Sequence, residues 1–127
     1  MLMKNPASHF MTDAWMEASG VQNPAAFGCF PRFLQLSREA KTISLEETIR
    51  KMTGANAERF NIKDRGVLRQ GLAADITVFN GDTVRDNTST SGTAAPPQGV
   101  EEVFINGVHV VTKGKINSAL RPGKVVR

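Results

Sequence analysis

Two runs of β-branched and aromatic residues, Val103-Phe104-Ile105 and Val108-His109-Val110-Val111, are separated by Asn106-Gly107 alone. That pair is a strong hairpin signal, because a two-residue turn matching strand twist needs positive φ at both central positions. The C-terminal half is therefore expected to be β-structure folded back on itself. Ile76-Thr77-Val78-Phe79, stopped by Asn80-Gly81-Asp82, reads as a further strand. Val67-Leu68 and Val125-Val126 read as shorter ones, and Lys113-Gly114 as a second turn. Between them, residues 86–99 are rich in Ser, Thr, Gly and Pro and poor in large apolar groups. Such a stretch buries too little surface to offset its ordering entropy, which predicts a mobile loop.

The N-terminal half follows a different period. Ser44 precedes Leu45, and Glu47 lies three residues on, which predicts a capping box opening a helix that closes at Gly54. Leu45, Ile49 and Met52 share one face, while Glu46/Arg50 and Glu47/Lys51 pair along the other. A second turn is expected over Asn56–Phe60, and an earlier helix from Pro31 to Ala40, with proline in its first turn. The short apolar run Phe10-Met11 reads as a buried strand ending at Asp13. The expected division is residues 1–62, strand and helices, and residues 63–127, the β-rich part.

Composition excludes several functions. The net charge of +4 is spread over scattered, partly matched charges, with Arg121, Lys124 and Arg127 as a loose basic tail. There is one Trp, no Tyr and no interleaving of aromatic with basic residues, so nucleic acid is not expected as a partner. No stretch reaches the roughly 20 apolar residues of a membrane span. The first residues lack the pattern of a secretory leader, and Cys29 is the single cysteine. A reducing, cytoplasmic setting is the expectation.

The residues able to carry chemistry are few. Asp13 follows an apolar run and precedes a loop, where a carboxylate can ligate a metal, shuttle a proton or cap a turn. His9 lies four residues before it, so a strand would aim both side chains at one face and allow a two-ligand metal site. His109 sits in a hairpin strand, exposed or packed. Cys29 has no histidine near it in sequence and reads as an inert thiol. Arg32 can grip a substrate carboxylate with its fork of donors, or anchor the start of a helix. Asp75 precedes a strand and reads as structural, accepting backbone N–H groups at a turn.

Taken together, these segments resemble the C-terminal region of the N-acyl-D-amino-acid deacylases in the amidohydrolase superfamily. Thr12-Asp13-Ala14 is similar to the family's Ser-Asp-Gly, and Gly28-Cys29-Phe30-Pro31-Arg32 to its Gly-Thr-Phe-Pro-Arg. The helix from Ser44 to Thr53, Asp64-Arg65-Gly66, Gly71, Ala74-Asp75 and the Asn106-Gly107 hairpin follow in the family's order. Two positions depart: Ala14 replaces the motif glycine, and Asn23-Pro24-Ala25 stands where the family has His-Pro-Arg.

The resemblance implies an α+β chain: the end of a (β/α)8 metal-dependent hydrolase barrel plus C-terminal strands of a small β-sandwich domain. It implies Asp13 as the catalytic carboxylate and a candidate metal ligand, with Arg32 as a substrate contact. The intact family enzyme uses zinc, held mostly by upstream histidines. This chain has two histidines, so it is expected to hold no metal alone, to be inactive alone and to need an N-terminal barrel partner chain. Its unpaired strands favour a homo-oligomer. The alternative is a non-enzymatic binding or oligomerisation module derived from the same fold.

Overall fold

The computed structural model describes residues 2–126. Three helices, α1 (Ala25–Ala40), α2 (Leu45–Met52) and α3 (Gly54–Arg59), precede four strands. The strands are β1 (Ile76–Phe79), β2 (Val100–Ile105), β3 (Val108–Thr112) and β4 (Lys115–Ile116). They form one antiparallel sheet in the order β1-β2-β3-β4. The chain is thus α+β. No helix among the described residues is long and apolar enough to cross a membrane.

The Asn-Gly signal is met. Asn106 and Gly107 both have positive φ (47° and 78°), and Ile105 pairs with Val108 across them. The turn is also held from outside. Asn106 N–H donates to Asp75 Oδ1 at 2.7 Å, Gly107 N–H to the Ala74 carbonyl at 2.9 Å, and the Asn106 amide to the Pro122 carbonyl at 2.7 Å. Asp75 also takes Arg65 Nη1 at 2.6 Å, so its carboxylate ties the 63–75 segment to the hairpin tip. Its structural role is as expected, although the N–H it accepts lies 31 residues away. Lys113 and Gly114, also at positive φ, turn β3 into β4, a strand pair the sequence reading missed.

Several expected elements differ. Helix α1 starts at Ala25 rather than Pro31, because Asn23 Oδ1 accepts the Ala25 N–H at 3.0 Å and opens the helix two turns early. Pro31 therefore lies inside the helix, where it leaves the Phe27 carbonyl without its i+4 donor. Phe10–Asp13, Val67–Leu68 and Val125–Val126 are not strands. Among the described residues none of them lies beside a strand that could supply a ladder. In α2, Ser44 Oγ accepts Glu47 N–H at 3.1 Å, but the Glu47 carboxylate turns to Arg50 (2.7 and 2.9 Å), so half of the capping box forms. Gly54 does not adopt a left-handed cap; it opens α3. A Cβ there would meet Val67 Cγ1 at 3.3 Å and the Gly66 carbonyl at 3.4 Å.

Helices and sheet meet at the 80–86 segment. Val84 is fully buried, and Arg38 of α1 donates to the Gly81 and Val84 carbonyls at 3.0 and 2.7 Å. The 86–99 loop is closed at its base, where Arg85 and Gln98 exchange backbone bonds at 3.2 and 3.1 Å.

Two outcomes follow for the hairpin. Gly107→Val forces a β-branched residue to positive φ, so chemical denaturation should show a loss of about 1–3 kcal/mol. Glu102 accepts Lys113 N–H at 3.2 Å and meets His109 Nε2 at 2.6 Å. The Lys113 N–H first, and then His109, hold its carboxyl below the ordinary glutamate value. A carboxyl with a depressed folded pKa stabilises fully above its unfolded value and loses that contribution as pH falls through the folded one. Below about pH 4, therefore, the melting temperature of the protein should fall more steeply than that of Glu102→Gln.

Candidate functional site

The site is organised around an irregular N-terminal segment, residues 5–13, laid between α1 and α2. Phe10 is buried and stacks on Phe33 of α1, with ring centroids 4.2 Å apart and planes at 11°. Lys51 of α2 is also buried, 1% exposed, with its ammonium 5.8 Å from the Phe10 ring centroid. That ammonium donates to the Asn5 carbonyl (2.6 Å), the Ser8 carbonyl (2.9 Å) and Ser8 Oγ (2.9 Å). An ammonium carries three N–H donors, so all are used. Glu47 lies 3.9 Å away as counter-charge. The Lys51 carbonyl accepts Phe10 N–H at 3.1 Å, and the Asn56 amide donates to the Phe10 carbonyl at 2.9 Å. The segment is thus held by side chains and by its own backbone, in place of a strand ladder.

Asp13 follows this clamp directly. Thr12 Oγ1 donates to the Ala25 carbonyl at 2.7 Å, and Cys29 Sγ donates to the Met11 carbonyl at 3.3 Å. Both bonds fix the backbone just before Asp13 onto the first turns of α1. Asp13 itself is exposed and has a φ of 42°. Left-handed backbone is tolerated by Asp better than by most residues. The reversal of chain direction falls on the carboxylate residue, not on Ala14 at the glycine position of the resembled motif. Cys29 is an unreactive thiol here, because partial burial raises its pKa above the ordinary cysteine value.

Arg32 is exposed on α1, three residues beyond Cys29 and hence on a neighbouring face. Among the described residues it forms no ion pair. His9 is exposed and bonds through Nδ1 to Asn56 Oδ1 at 2.9 Å. It is not on a strand, so the even spacing to Asp13 does not align the two side chains. His109 stacks on Phe104 (4.3 Å, 11°) and pairs with Glu102 on the hairpin, a structural use. Lys51 and Asn56 were missed by the sequence reading, which put Lys51 on the solvent face of α2. The signal that would have found it is Thr48, three residues earlier and fully buried, which marks that face of the helix as inward.

Among the described residues, no three His, Cys, Asp or Glu side chains gather as a metal shell would require. A catalytic zinc needs about three protein ligands. Asp13 can offer one, and His9 is committed to Asn56, so the residues present do not fit a zinc ion by themselves.

Residues 5–111 match the amidohydrolase family, and the chain belongs to it. Within that family it is similar to enzymes acting on acylated D-amino acids. It is 37% identical over 105 residues to an N-acyl-D-aspartate deacylase of Alcaligenes xylosoxydans xylosoxydans, covering 82% of this chain and 21% of the relative. An N-acyl-D-glutamate deacylase from the same organism is 36% identical over 106 residues, again covering 21% of the relative. Among solved structures, a D-aminoacylase that defines a novel subset of amidohydrolases superposes with a TM-score of 0.73 at 32% identity, over 76% of this chain and 21% of that one. An N-acyl-D-glutamate deacylase from Bordetella bronchiseptica, solved with zinc and a phosphonate mimic of the tetrahedral intermediate, also gives 0.73, at 34% identity over 84% and 22%. A further D-aminoacylase structure concerns the role of its binuclear metal centre. The chain spans about a fifth of the length of these relatives.

The clamp on the segment before Asp13 is testable. Lys51→Ala removes the donor that satisfies two carbonyls and a hydroxyl, and should lower stability by about 2–4 kcal/mol in urea titration. Lys51→Met keeps the apolar stem but strands the same acceptors, and should lose a similar amount.

Proposed function

We propose that this chain is the C-terminal part of a metal-dependent amidohydrolase that hydrolyses the amide bond of N-acyl-D-amino acids. The observation that carries the reading is the run of sequence shared with two deacylases, which takes in Asp13, the α1 motif and the hairpin. In this reading Asp13 moves a proton to the leaving amine nitrogen. Its exposure and the pinned backbone on its N-terminal side support that role. Arg32, unpaired among the described residues, takes the carboxylate of the substrate through two of its donors. Residues 1–62 supply these two side chains, and residues 63–127 buttress them through the Arg38 contacts to Gly81 and Val84.

The zinc ligands belong to a partner polypeptide carrying the rest of the barrel, because the residues gathered here do not form a shell. The chain alone is therefore inactive, and it works in the reducing cytoplasm. Purified chain incubated with zinc and N-acetyl-D-aspartate or N-acetyl-D-glutamate should release no amine above a metal-only blank. Co-expression with the first four-fifths of a related deacylase should restore turnover, and Asp13→Ala in that complex should lower it about 10²-fold or more. Turnover by the chain alone that Asp13→Ala abolishes would overturn the requirement for a partner. Restored turnover indifferent to Asp13→Ala would overturn the assigned role.

A further inference from the structure

We infer that the outer edge of β1 is the site at which two copies of this chain join, strand to strand, into one continuous sheet. In the order β1-β2-β3-β4 the open edges are β1 and β4. Among the described residues, the backbone of Ile76–Phe79 bonds only to β2. In an antiparallel strand alternate residues direct their N–H and C=O groups to the same side, so β1 presents a row of unpaired donors and acceptors outward.

The two edges are not equally protected. β4 is two residues long and carries Lys113 and Lys115 around its turn, a short and charged edge of the kind that resists pairing. β1 is Ile-Thr-Val-Phe, with no charge, proline or bulge-forming glycine. Thr77 and Val78 at its centre are exposed, Val78 by 44%. The charge nearest its start, Asp75, is compensated by Arg65 at 2.6 Å. The exposed middle of β1 is thus flat, uncharged and β-branched.

A second copy is the occupant that fits. Two antiparallel β1 strands related by a two-fold axis place Thr77 and Val78 of one copy against the same pair of the other, so any fit is made twice. Four residues a side allow about four backbone hydrogen bonds. The contact is smaller than a standard interface, so the dimer is weak and depends on concentration. This inference does not rest on the enzymatic reading.

Sedimentation velocity and hydrogen exchange on the purified full chain test it, over about a hundredfold range of concentration centred on the micromolar regime. The mass should rise from one chain toward two, and the amides of Thr77–Phe79 should gain protection with concentration while those of β4 do not. Val78→Lys should weaken dimerisation at least tenfold without changing the far-ultraviolet circular dichroism, whereas Ile116→Lys on β4 should leave it intact. Thr77→Lys serves if Val78→Lys misfolds, and the exchange experiment needs no variant. A mass of one chain throughout, a dimer indifferent to both lysine variants, or protection appearing elsewhere than on β1 would overturn the proposal.

Discussion

The helical half depends on one buried charge. Lys51 sits at the centre of α2 with almost no contact with water, and its ammonium is solvated by the protein itself. An isolated ammonium in such a place would be severely destabilising, so the three acceptors are a condition of folding and not an ornament of it. Two of them are main-chain carbonyls, which means that the path of residues 5–8 is specified by the side chain of a helix more than forty residues later. Phe10, stacked on α1 and capped by the same ammonium, closes the arrangement from its apolar side.

The position of Asp13 is inherited from that arrangement. With no ladder to define it, the segment would be a floppy lead-in. Lys51, Asn56, Thr12 and Cys29 instead supply successive attachments to all three helices. Helix α1 is in turn pressed onto the β-half by Arg38 and by a close approach at Gly28, where a Cβ would fall 2.2 Å from Asp86 Oδ1. Membership of the amidohydrolase family accords with a fold in which a carboxylate is held by the framework around it.

How much could be read from the residues alone depended on how local the cause was. The Asn106-Gly107 turn follows from two adjacent conformational preferences, and it formed as expected. Ser44 as a cap follows from a group three residues away, and its half of the capping box was legible too. The strands expected at Phe10–Asp13, Val67–Leu68 and Val125–Val126 needed a partner ladder, which hydrophobic pattern cannot reveal. Lys51 was the largest misreading: its i−4 glutamate suggested a surface pair, while its real partners are carbonyls of a distant segment. For the candidate site, Asp13, Arg32 and Cys29 were visible by residue type. The side chains that place the segment carrying Asp13 were not, because their roles are set by tertiary contact.

The paired backbone at Arg85 and Gln98 gives the 86–99 excursion a neck. Gly99 makes the neck possible, since a Cβ there would lie 2.7 Å from the Val84 backbone. Asp86 and Thr88 still belong to the framework, through the Gln35 contact and an Asx turn. Beyond them the chain is an appendage whose two ends are already joined. Closing a longer loop costs only about 0.6 kcal/mol for each doubling of its length. This is therefore the part of the molecule where length is free to drift over evolutionary time, since neither Asp13 nor the sheet has to register the change.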